Sequence, residues 1–140
     1  MCDILGHDDL RTMVTKYLEV GDNDWGVLIN YDFDMLDYDD IAAVLYAFGM
    51  NERNIRKSMR ILSAPNTGMT ISNDGLRMTS IYIGQATSPS EFWSTLNHEL
   101  YHATTAIIDY YGEPYDKEPA AYLHGELMRL AVEAIGEPCY

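Results

Sequence analysis

The sequence predicts an α+β fold in which a small twisted, partly antiparallel sheet packs against two long helices near the C-terminal end. Three observations predict it. Apolar residues follow helical spacing toward both ends of the 140-residue chain, the stretch 58–84 switches to short strand-like runs, and an Asn-Asp-Gly turn interrupts that stretch at positions 73–75. A chain of this length encloses one core, so residues 1–140 are read as a single domain.

In order, residues 8–19 carry Leu10, Met13, Val14, Tyr17 and Leu18 at helical spacing before Gly21, which predicts a first helix. The apolar run WGVLINY at 25–31 predicts a strand. Asp32, Asp34, Asp37, Asp39 and Asp40 then crowd together. A calcium loop needs a turn glycine and a distal bidentate glutamate, which this segment lacks, so it reads as a solvated loop. Residues 41–48 (IAAVLYAF) predict a helix capped by Asp39 or Asp40 and stopped by Gly49, with a short helix from Asn51.

Residues 59–62 suggest a strand, 65–68 a turn and 69–72 a second strand. Asn73-Asp74-Gly75 reads as a hairpin turn because these residues tolerate positive φ, and 76–83 (LRMTSIYI) is the returning strand. Ser88-Pro89-Ser90-Glu91 combines an N-cap serine, a first-turn proline and a glutamate able to close a capping box. The helix it opens buries Phe92, Leu96, Leu100, Ala103 and Ile107, and ends at Gly112 and Pro114. A final helix begins within 116–119 and runs to Gly136, with Pro138 beyond.

Composition narrows the functional classes. Twenty-two acidic side chains against nine basic ones give a net charge of −13, which argues against nucleic acid and against an anionic membrane surface as partners. The N-terminal segment carries Asp8 and Asp9 instead of a basic start and apolar run, and no segment reaches the length of a membrane span. Cys2 and Cys139 form no disulfide framework. These features predict a cytoplasmic protein.

The chemistry lies in the pentapeptide HELYH. His98 and His102 are four residues apart on a helix, so their imidazoles leave one face roughly 6 Å apart, where one tetrahedral metal can bridge them. Glu99 points to one side of that face, as a base for water. A third ligand must come from elsewhere. Asp109 shares the stripe but lies about 10 Å further along the axis and has at most an outer-shell role. A reversal at 112–116 would bring Glu118 back toward the histidines, with Ala120, Ala121 and Gly125 letting the helices approach. Pro119 disfavours helical geometry at Glu118, which suits a helix start.

His98-Glu99-Leu100-Tyr101-His102 followed by Glu118-Pro119-Ala120-Ala121 resembles the HExxH…ExxA pattern of the gluzincin zinc metallopeptidases, in particular their small intracellular and phage-encoded members. The likeness covers about residues 76–130. It implies a minimal zincin-like domain holding one zinc ion through His98, His102 and Glu118, with Glu99 as general base and a peptide or protein as substrate. It also implies that the strand 76–83 is the sheet edge along which the substrate extends. The family's transition-state donor, usually His or Tyr, is not marked by a motif here; Tyr101, Tyr122 and His124 are near in sequence. His7 reads as a surface residue, and His124 as a surface or interface residue. Two other classes fit the same sequence: a non-catalytic zinc-binding protein, and an acidic interaction protein such as an inhibitor or DNA mimic.

Overall fold

A computed structural model describes residues 13–21, 24–112 and 118–137. Four strands and four helices are arranged as β1 (Val14–Val20), β2 (Trp25–Tyr31), α1 (Tyr38–Ala47), α2 (Glu52–Leu62), β3 (Gly68–Asn73), β4 (Met78–Ile83), α3 (Pro89–Tyr111) and α4 (Glu118–Ile135). The strands form one mixed sheet in the order β1-β2-β4-β3. β1 pairs antiparallel with β2, β2 parallel with β4, and β4 antiparallel with β3. The expected α+β class holds.

The sheet is covered on both faces. Val27 and Ile29 of β2 and Ile81 and Ile83 of β4 meet Phe92, Leu96, Leu100 and Ile107 of α3 and Leu123 and Leu127 of α4 in the larger core cluster. Tyr82, turned the other way on β4, joins Phe33, Ile41, Leu45 and Leu62 in a smaller cluster under α1 and α2. This alternation along β4 follows from the two-residue period of a strand. α3 lies over β3 and β4, while α4 packs against α3 and β1. The helix carrying HELYH therefore runs over the β3 side of the sheet.

Several expectations are corrected. Residues 14–19, expected as part of a helix, belong to β1 (Val14–Val20); residues 8–12 of that expected helix lie outside the described region. The segment VTKYLEV alternates, with Leu18 and Val20 buried and Thr15, Tyr17 and Glu19 exposed, and antiparallel pairing with β2 satisfies its backbone. Tyr17 fits a helical stripe and a strand's outer face equally well, which made the period ambiguous. Residues 59–62, expected as a strand, complete α2. The Asn51 side chain accepts a hydrogen bond from the Asn54 amide and starts this helix, and Ile55, Ser58, Met59 and Leu62 then fall on its inner side.

At α1, the residue before the first turn is Asp37, and Asp39 and Asp40 lie inside that turn, where they face the positive end of the helix dipole instead of capping it. The side-chain cap belongs to Asp34, which with Asp37 closes a capping box around the short 3-10 turn Met35–Asp37. The hairpin also differs in detail: positive φ falls at Arg77, not within 73–75, so Leu76 and Arg77 belong to the turn and β4 begins at Met78. Arg77 is held there by Asp24, 2.9 Å away. Among the described residues, no helix is long and apolar enough to cross a membrane.

Candidate metal centre

α3 starts as its sequence predicts, with the Ser88 side chain accepting from the Glu91 amide and Pro89 in the first turn. Its end is set by Gly112 at φ +75°, a left-handed conformation that costs glycine nothing. Between these ends the helix buries Phe92, Leu96, Leu100, Ala103 and Ile107, the expected stripe. Glu99 lies on the same inner side and is only 6% exposed. His98 and His102 are solvent-exposed beside it.

The two imidazoles converge. Their Nε2 atoms are 3.2 Å apart and the rings meet edge to face. A tetrahedral zinc with Zn–N bonds of about 2.0–2.1 Å would hold two nitrogens about 3.3 Å apart. The pair thus has the separation that shared coordination requires. At this distance an Nε2–H of either ring can also donate to the other nitrogen, the direction depending on the tautomer.

Glu99 is positioned by the edge strand β3. The Thr70 hydroxyl donates to Oε1 of Glu99 over 2.7 Å and also lies 3.2 Å from its backbone carbonyl. Gly68, two residues earlier and on the same face of β3, leaves space for the carboxylate. A Cβ there would lie 2.8 Å from Cγ and 3.0 Å from Oε2 of Glu99, and 2.8 Å from Cγ2 of Thr95. The strand and helix therefore approach closely where the base is expected. Neither Gly68 nor Thr70 was identified from the sequence: Thr70 falls on the expected strand 69–72, but Gly68 falls in the expected turn 65–68, whereas in the structure it begins β3.

The remaining candidates are placed as follows. Glu118 is the first residue of α4 and is exposed. Among the described residues no group of three or more His, Cys, Asp or Glu side chains stands close enough to hold a metal, so the structure unites His98 with His102 but does not bring Glu118 to them. Ala120 faces the core as expected, whereas Ala121 and Gly125 are exposed, and nothing lies within 4 Å of where a Gly125 Cβ would sit. Gly125 therefore does not serve a close approach of α3 and α4. Asp109 is exposed near the end of α3, where its carbonyl accepts from the Gly112 amide.

His124, expected at the surface or at an interface, is half-buried, and among the described residues its Nε2 is enclosed without a hydrogen-bond partner. Its ring packs 6.0 Å from that of Tyr101, which in turn lies 6.4 Å from the His102 ring. An aromatic chain thus links α4 to the histidine pair. Tyr122 is fully on the outside of α4. His7 lies outside the described residues. The two imidazoles suit zinc, and among the described residues no carboxylate stands beside them as a third ligand. No family model, curated protein or solved structure matches the chain.

Proposed function

We propose that this protein is a zinc-dependent metallopeptidase of the gluzincin type. The observation that carries the reading is the 3.2 Å approach of the His98 and His102 Nε2 atoms on the helix that also presents Glu99 to an edge strand. In this reading His98 and His102 hold the ion, and Glu118, which stands apart from them at the start of α4, is the candidate third ligand that would have to approach when the ion binds. A zinc ion so held supplies a Lewis acid that makes water acidic near neutrality and polarises a carbonyl.

The chain's own residues provide the rest. Glu99 accepts a proton from water and passes it to the leaving amine, and the Thr70 hydroxyl fixes one carboxylate oxygen so that the other is left for proton transfer. The sheet edge next to this base is β3, because β4 is interior, paired on one side with β2 and on the other with β3. That corrects the expectation that residues 76–83 form the edge. An extended peptide would then add to the outer side of Gly68–Asn73, whose backbone has no strand neighbour there among the described residues.

Elemental analysis and a peptide-library assay test the proposal together. The purified chain should hold about one zinc, and His98→Ala should hold none. Glu99→Gln should retain the metal and lose at least ~100-fold in hydrolysis, the usual scale for a general base. A zinc-free wild-type protein, or turnover unaffected by Glu99→Gln, would sink the proposal.

A further inference from the structure

The layer formed by α1 and α2 covers the face of the sheet opposite HELYH, and it segregates charge in a way the rest of the chain does not. Arg53, Arg56, Lys57 and Arg60 follow i, i+3, i+4, i+7 spacing along α2 and all four are exposed. They are four of only nine basic residues in a chain with 22 acids. Arg56 pairs with Glu52 at 2.9 Å, but Arg53, Lys57 and Arg60 have no ion partner among the described residues. Like charges one turn apart destabilise an isolated helix, so this stripe is not explained by the helix it sits on.

α1 carries the complementary surface. Asp39 and Asp40 are exposed in its first turn, with no ion partner among the described residues, and beyond them the outward face is apolar: Ala43, Tyr46 and Ala47. Residues 41–48 contain no charged side chain at all, although only Ile41 and Leu45 of α1 are buried. A helix that is apolar on nearly all sides is normally enclosed. Tyr46 is 73% exposed, and the most exposed large apolar side chains in the described region, Met35 (78%) and Leu36 (90%), stand on the turn just before α1. Scattered exposed apolar residues need no explanation, but an uncharged outward helix face flanked by separated charges suits an interaction surface.

We propose that this layer is a homodimer face. The Asp39–Asp40 end of α1 in one copy meets the basic stripe of α2 in a second copy, the contact is repeated about a two-fold axis, and Tyr46 is covered between the two. Both halves of the interface are present on one chain, which is the condition for a closed, self-complementary contact. A polyanion such as nucleic acid would satisfy only the basic stripe and would leave the apolar face and the acids uncovered. Two copies of charge −13 repel at long range, but at physiological ionic strength this field is screened beyond about 8 Å, so the contact is decided at the face.

Sedimentation velocity of the full chain at physiological ionic strength tests the proposal. Wild-type protein should sediment at twice the chain mass. The double variants Arg53→Glu with Lys57→Glu and Asp39→Lys with Asp40→Lys should each sediment as monomers. Mixing the two should restore the dimer, because each contact then joins opposite charges again; this recovery also shows that both variants fold. A monomeric wild-type protein across a wide concentration range overturns the proposal. So does a mixture that stays monomeric, or a dimer that survives Asp39→Lys with Asp40→Lys.

Discussion

The contact between β3 and Glu99 is decided by two small choices, a glycine at 68 and a threonine at 70. Thr70→Val keeps the shape of the side chain but removes the donor to a carboxylate oxygen of the buried Glu99, 2.7 Å away. An acceptor left unsatisfied in such a place costs about 1–3 kcal/mol. Urea denaturation should show that loss for Thr70→Val and little of it for Thr70→Ser, which restores the hydroxyl. Gly68→Ala acts through volume instead: its Cβ would press on Glu99 and Thr95 at 2.8 Å, and overpacking of this kind costs about 1–3 kcal/mol. Equal midpoints for wild type, Thr70→Val and Gly68→Ala would mean that β3 does not hold Glu99 as described.

At the level of elements, α3 is the best test of what local sequence specifies. Ser88→Ala removes the side chain that accepts from the Glu91 amide and should cost about 0.5–2 kcal/mol, read as a lowered denaturation midpoint; Ser88→Asp should retain most of the stability. Start and stop residues made α3 and α4 legible from sequence, the apolar run 25–31 did the same for β2, and β4 was legible except that it begins at Met78 instead of residue 76. β1 was not legible. Val14, Tyr17 and Leu18 satisfy a helical spacing, and only the antiparallel partner β2 selects the alternate, two-residue reading. The end of α2 was missed for a related reason: MRIL is a short apolar run whose period is undefined until Asn51 and Ile55 are counted with it. In both places tertiary pairing or a distant cap overrode the local pattern.

Across the whole molecule, the sheet separates two surfaces, with the histidine pair on the α3 and α4 side and the segregated charges on the α1 and α2 side. The convergence of His98 and His102 was legible because a four-residue period is a property of any helix. The support from β3 was not, because it depends on strand order, and sequence placed residues 76–83 rather than Gly68–Asn73 at the edge. Zinc binding offers a global readout of the same site. A ligand that binds only the folded chain stabilises it by about 2.7 kcal/mol at one hundred times its dissociation constant. With a shift of about 2–4 °C per kcal/mol for a chain of this size, saturating zinc should raise the melting temperature of metal-stripped protein by roughly 5–10 °C. His98→Ala and His102→Ala should lose the increase, since each leaves one imidazole of the 3.2 Å pair without its partner. Glu99→Gln should keep it, because in the proposed site Glu99 moves protons and does not hold the ion. Glu118→Ala should reduce it, which separates a third ligand from an exposed glutamate at the start of α4. A zinc-induced shift of the same size in all four variants would place the metal somewhere other than on these histidines.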